Sequence, residues 1–250
     1  MRKSIFFSIR TILTLCFLLS FTGCGQIGKQ ALFKSNETTE TSEVINLFQL
    51  QQPIEGDKIA IVETEIGAIK FKLFTDLSPQ CVKIFNNYVD LDYYLGASFD
   101  RAEPGLINQI DYHATFPDEI DEAEKMFYPY EDVLELKHIK GAVSLIYQFG
   151  EYTSPSLVFV MGSEVSQEDL DIMEYLGEES YSKDMIATYR QIGGMPSFDG
   201  RFTVIGQVYE GYEVLEAINQ LPVEEAADNM SHHLLKDPLE IKNIKIKIYE

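Results

Sequence analysis

The chain of 250 residues has no tryptophan, only four histidines and three cysteines, and half as many basic side chains (20) as acidic ones (40). Each scarcity excludes something. A formal charge of −20 offers no basic surface to neutralise phosphates, so nucleic acid is not expected as a partner. His113, His138, His232 and His233 stand at none of the spacings that hold zinc, and no hydrolytic triad is legible, so no metal site is expected. Neither a G-x-S-x-G elbow nor a phosphate-cradling loop is present, and no cofactor is expected. Paired carboxylates abound, but in so acidic a chain they read as solvated faces rather than as a glycosidase pair. Cys16 lies in an apolar leader and Cys24 at its end, which leaves Cys81 alone. Without an internal disulfide, the fold has to be held by its core.

What is present begins with that leader. Residues 1–23 carry Arg2, Lys3 and Arg10 and no acid, followed by an apolar run over 12–21. This is the build of a secretory signal, too short to span a bilayer. Its end, Leu18-Leu19-Ser20-Phe21-Thr22-Gly23-Cys24, resembles a bacterial lipobox, in which the cysteine becomes the lipidated N-terminus. The expectation is a lipoprotein anchored to the cell membrane through acylated Cys24 and facing outside the cytoplasm. Loss of 1–23 leaves 17 basic side chains against 40 acidic ones, a charge of −23. An anionic membrane repels such a chain, so a covalent anchor suits it better than a basic helix.

Residues 24–57 read as a tether with a polar middle over 34–42 and a candidate edge element over 44–50. One domain is expected over 58–250, long enough to bury a core of its own. Runs over 59–64 and 68–74, split by Glu65-Ile66-Gly67, predict a hairpin. Ser78-Pro79 predicts a helix start, with Val82, Phe85 and Val89 as its buried stripe and Cys81 beside it. Further strands are expected over 97–99, 106–110, 141–147, 157–161 and 202–208. The C-terminal alternation of Ile244, Ile246 and Ile248 with lysines predicts a strand wet on one face. A helical insert, mostly acidic on its polar face, is expected at about 163–196, and a short helix over 214–221. Strand-rich spacing with isolated helices points to a mainly β barrel or sandwich.

The order of blocks resembles the cyclophilin family. Ile61-Val62-Glu63-Thr64, Gly67-Ala68-Ile69-Lys70, Phe99-Asp100-Arg101, Pro104-Gly105-Leu106-Ile107-Asn108-Gln109, Lys140-Gly141-Ala142-Val143-Ser144, Ser156-Leu157-Val158-Phe159-Val160 and Phe198-Asp199-Gly200-Arg201-Phe202 follow one another in the family's order. The resemblance covers about residues 58–250. It implies an eight-stranded closed antiparallel barrel capped by two helices, and peptidyl-prolyl cis/trans isomerase activity. Residue by residue, it places Arg101 as the catalytic arginine and Gln109 as the active-site glutamine. It gives Phe99, Ile107, Leu157, Phe159, Phe198 and Phe202 to the substrate site, with Phe159 as the floor of the proline pocket. The sequence departs from the pattern at Asp100, where histidine is usual, at Leu157, where glutamine is usual, and at Ile146-Tyr147, where Ala-Asn is usual. The expected partners are proline-containing exported polypeptides, met by a monomeric foldase. The competing expectation is a lipoprotein that binds proline-containing segments, or another partner, without catalysis.

Overall fold

The computed structural model describes residues 47–111, 131, 133–148, 152–224 and 233–250. The leader, Cys24 and the tether up to residue 46 lie outside the described residues, as do His113 and His232. Eight strands, β1 (Lys58–Thr64), β2 (Ala68–Leu73), β3 (Ser98–Glu103), β4 (Ile107–Asp111), β5 (Ala142–Gln148), β6 (Tyr152–Val160), β7 (Thr203–Glu210) and β8 (Leu234–Ile248), close into a barrel in the order β1-β2-β7-β5-β6-β4-β3-β8. Every neighbouring pair is antiparallel. A barrel of eight strands has an interior that side chains just fill. Here Phe71 meets Phe159 edge-on at 6.0 Å and Phe85 at 5.8 Å, while Phe99 lies 5.6 Å from Phe159.

Helices α1 (Pro79–Asp90) and α4 (Tyr212–Asn219) close the barrel, α1 against β7 and β8, α4 against β2, β3 and β4. The α1 stripe buries Cys81, Val82, Ile84, Phe85 and Tyr88. Ser78 precedes it but does not cap it, because its hydroxyl donates instead to Val204 O at 2.7 Å. Glu131 takes the capping role, its carboxylate accepting from Gln80 N at 3.3 Å and Cys81 N at 2.9 Å. A carboxylate there also complements the positive end of the helix dipole. The β1–β2 turn holds Gly67 at φ 149°, where a Cβ would lie 2.6 Å from Val214 Cγ2. Only glycine lets α4 approach that closely.

The insert forms α2 (Gln167–Leu176) and α3 (Lys183–Ile192), each capped by a serine, Ser166 and Ser182. Leu170, Met173, Met185, Ile186 and Tyr189 bury a small core of their own, joined by Leu47 and Ile139. The chain leaves the barrel at Ser163 and returns at Gly193-Gly194, where Gly194 N donates to Ser163 O at 3.0 Å and Met195 N to His138 O at 2.7 Å. A Cβ on Gly193 would lie 2.2 Å from Ser163 O, so the closure requires glycine. Ahead of the barrel, a single 3-10 turn (Phe48–Leu50) buries Gln49. Its amide donates to Lys137 O at 2.8 Å and accepts from Lys137 N at 3.0 Å. Residues 47–50, within the stretch 44–50 read as a candidate edge element, therefore pack with the domain. No helix among the described residues is long and apolar enough to cross a membrane.

Candidate active site on the outer face of the barrel

The β3–β4 hairpin carries Arg101 and Gln109. In a regular strand Phe99 and Arg101 would share a face. They do not, because the register shifts at Asp100: Phe99 pairs with Ile110, and Arg101 pairs with Gln109. Such a bulge adds one residue to a strand and re-aims the side chains on either side of it. Phe99 consequently points into the barrel core, while the Arg101 side chain turns outward and is 25% exposed. Its Nη1 donates to Gln109 Oε1 at 3.0 Å, and its Nη2 pairs with the Glu103 carboxylate. Glu103, two residues along the same face, meets the guanidinium, and Asp100 is buried at the bulge.

Asn219, the last residue of α4, fixes the hairpin tip. Its Nδ2 donates to Glu103 O (3.0 Å), Ile107 O (3.1 Å) and Asn108 Oδ1 (2.8 Å), and its Oδ1 accepts from Gly105 N at 2.7 Å. Ser163 Oγ donates to Gly105 O at 2.6 Å. Asn108 is buried facing inward and donates to Leu215 O at 2.8 Å.

Register then decides which side chains share a face with Arg101, since directly paired residues point the same way. Gln109 pairs with Val158, Val158 with Ser144, and Ser144 with Val204. The outward row is therefore Arg101, Gln109, Val158, Ser144 and Val204, with Ile107 two residues before Gln109 on the same strand. Phe159 pairs with Asn108 and with Val143 and lies wholly inside the core, as does Leu157 opposite Ile110 and Leu145. The site drawn from sequence is thus divided. Arg101, Gln109 and Ile107 share one face, whereas Phe99, Leu157 and Phe159 belong to the barrel interior. Val158 and Val160 of β6 lie on the Arg101 face, paired with Gln109 and Ile107. The Ser144 hydroxyl beside it is buried with no hydrogen-bond partner among the described residues.

Phe198 and Phe202 stand at the entry to β7, next to the Val204 end of the row. Their rings meet edge-on at 4.8 Å, and the His138 ring packs edge-on to both, at 5.7 Å and 6.5 Å. Between them in sequence, Asp199 turns inward. Its Oδ1 accepts from His138 N at 2.9 Å and lies 2.8 Å from His138 Nδ1, and its Oδ2 accepts from Tyr189 at 2.7 Å and Tyr181 at 3.0 Å. Burial, reinforced by the Asp199 charge, pushes the Tyr189 hydroxyl well above its ordinary pKa, so it remains a donor. Among the described residues no three of His, Cys, Asp or Glu converge as ligands for a metal.

A closed eight-stranded barrel that carries an arginine and a glutamine paired on its outer face agrees with the comparisons to known proteins. The family model "Cyclophilin type peptidyl-prolyl cis-trans isomerase/CLD" matches residues 59–246. The chain belongs to the cyclophilin family. A Staphylococcus saprophyticus protein named "Putative peptidyl-prolyl cis-trans isomerase" is 28% identical over 201 residues, covering 78% of this chain and 98% of that one. A Staphylococcus haemolyticus protein of the same name is 27% identical over 203 residues, covering 79% and 98%. A crystal structure of a Cryptosporidium parvum cyclophilin-type isomerase superposes with a TM-score of 0.53 at 18% identity, covering 78% of this chain and 99% of that one. The same protein crystallised in the presence of the dipeptide Ala-Pro gives 0.53 at 19% identity.

The barrel ladder β4-β6-β5-β7 sets the hairpin and the strand that follows the aromatic pair in one sheet, although they lie far apart in sequence. Three residues that sequence alone does not single out stand beside Arg101 and Gln109: Val158 next to Gln109, Glu103 on the guanidinium and Asn219 at the hairpin tip. Glu103 was accessible by counting two residues from Arg101; the parity of Val158 and the reach of Asn219 were not.

Proposed function

We propose that this cyclophilin catalyses cis/trans isomerisation of X-Pro bonds in exported polypeptides, with Arg101 as the catalytic group. The observation that carries the reading is the outward pairing of Arg101 with Gln109, at 3.0 Å on adjacent strands. Rotation about a peptide bond costs roughly 18–20 kcal/mol because the nitrogen lone pair is delocalised into the carbonyl. In the twisted state that lone pair is localised and accepts a hydrogen bond. An N–H of Arg101 directed at the prolyl nitrogen therefore binds the twisted state more tightly than either planar one, as catalysis requires. No covalent bond forms and no proton changes place. Gln109 orients the guanidinium and offers amide groups to the substrate backbone. Glu103 keeps the fork in one plane. Phe198 and Phe202, both partly exposed, offer apolar surface for the pyrrolidine ring, while Ile107 and Val158 are buried on the face that bears the arginine.

The leader and the Gly23-Cys24 junction support export and acylation of Cys24, which would hold the domain at the outer side of the membrane. Mass analysis of the mature N-terminus tests this: a diacylglycerol adduct on Cys24, lost in Cys24→Ala, is expected. An unmodified N-terminus at another residue would contradict it.

Exchange of an Ala-Pro peptide followed by NMR tests the enzymatic reading. The parent chain is expected to accelerate exchange, and Arg101→Ala to lower kcat/KM by about 10²–10³-fold, the usual cost of losing one transition-state donor. Peptide binding without acceleration by the parent would leave the non-catalytic binding module as the better account.

A further inference from the structure

The helical insert and the segment 133–138 enclose an open groove of about 280 Å³, lined among others by Leu134, Lys137, Leu176, Tyr181, Asp199 and Gly200. Leu134 and Leu176 are 43% and 50% exposed, two large aliphatic side chains left in water on its walls. The walls are tied together. Lys137 Nζ lies 5.2 Å above the Tyr181 ring, and the Tyr181 hydroxyl donates to Asp199 at 3.0 Å. Asp199, with its side chain only 5% exposed, also accepts from Tyr189 of the insert and from His138 N. This carboxylate therefore joins the insert, the 133–138 segment and the turn that bears Phe198. A groove fixed in this way costs little ordering when something enters it. Leu134, Leu176 and Tyr181 set among Lys137, Glu179, Ser180 and Asp199 combine apolar surface with polar groups that can orient what enters.

The groove also borders the aromatic pair. Phe198, Asp199, Gly200 and Phe202 belong to one turn, with the two rings on one side and Asp199-Gly200 lining the groove. Gly200 is exposed and has no side chain to obstruct a passing backbone. A polypeptide whose proline rests on Phe198 and Phe202 passes Asp199 and Gly200 of the same turn on its way into the groove.

We propose that the insert gives this cyclophilin a second subsite, which takes a large apolar side chain of the client polypeptide a few residues from its proline. The inference rests on the isomerase reading for its choice of occupant. Glu179 on the rim and the acidic face of α2 disfavour acidic neighbours, so the preferred flank is apolar or basic.

The test uses the full chain and two fluorescein-labelled peptides with a common Ala-Pro core, one a tetrapeptide and one extended with leucines on both sides. Fluorescence anisotropy is expected to show the longer peptide binding about tenfold more tightly, the gain from burying one leucine side chain. Leu176→Ser and Leu134→Ser should each remove that gain and leave the tetrapeptide's affinity unchanged. Both leucines are half-exposed, so the variants should keep the parent's thermal midpoint. Equal binding of the two peptides by the parent, or an equal loss for both peptides in the variants, overturns the subsite. Because binding is the readout, a chain that grips the longer peptide without accelerating exchange would contradict the isomerase and still support the groove.

Discussion

At Arg101 the guanidinium divides its contacts, Nη1 to Gln109 Oε1 at 3.0 Å and Nη2 to Glu103. Two acceptors at fixed angles hold a planar fork in a way that a single point charge cannot be held. Glu103→Gln keeps the shape and removes the charge, so the fork is expected to loosen and kcat to fall by about three- to tenfold, the scale of one partly exposed charged contact. KM and the thermal midpoint should barely move; a fall in the midpoint with kcat intact would make Glu103 merely structural. Elsewhere, Asp57 shows the stabilising use of a carboxylate. Burial raises its pKa, but the hydrogen bond from Lys72 at 2.8 Å, the Ile54 N–H and the lysine's charge outweigh that and leave it below the ordinary 3.8. A depressed carboxylate stabilises the fold above its unfolded-state value, and that stability is lost as pH falls through the lower folded value. Asp57→Asn should therefore lower the melting temperature at pH 7, with the gap from the parent closing as the pH drops below 3.8. A gap independent of pH would contradict the pairing.

At the scale of elements, the strands were legible and their faces were not. The runs over 59–64 and 68–74 became β1 (Lys58–Thr64) and β2 (Ala68–Leu73) because alternation and a glycine turn are local signals. In β6, Leu157, Val158, Phe159 and Val160 are all buried, since one face fills the barrel and the other is covered outside. A run that is apolar on both faces carries no parity, so the pairing with Gln109 had to come from the ladder. The bulge at Asp100 was equally silent, as nothing in Phe99-Asp100-Arg101 announces an added residue. Ser78 was a sound expectation for the α1 cap that lost to a competing acceptor, Val204 O. Asn219 is a long-range tie, and its loss measures what the hairpin owes to α4. Asn219→Ala removes four hydrogen bonds at the β3–β4 tip. It should cost about 1–3 kcal/mol of stability, the range for leaving buried partners unsatisfied. A urea titration with an unchanged midpoint would show that the tip holds itself.

Across the whole molecule, the barrel pairs an interior that stabilises with an outer face that carries Arg101 and Gln109. Phe159 sits at the centre of the interior, against Phe71 and Phe99. Phe159→Ala should cost about 3–5 kcal/mol, as large-to-small core substitutions do, while the folded fraction binds peptide as before. Val158→Asp, one residue away on the other face, should reduce peptide affinity instead. Reversed effects would mean that the register is wrong. The eight-stranded closure was legible only as what the resemblance to the cyclophilin family implies; strand spacing alone left barrel and sandwich both open, because it carries no information on which edges pair. In the proposed reaction, Arg101 lowers the barrier to rotation of a bound prolyl bond. The most direct test of this step is the on-enzyme exchange rate between cis and trans peptide, from NMR line shapes at saturating chain, for the parent and Arg101→Lys. Lysine keeps the charge and lacks the fork. The account predicts fast interconversion in the bound state of the parent and a rate lowered by about tenfold or more in the variant, with affinity nearly unchanged. Equal bound-state rates in the two chains would contradict it.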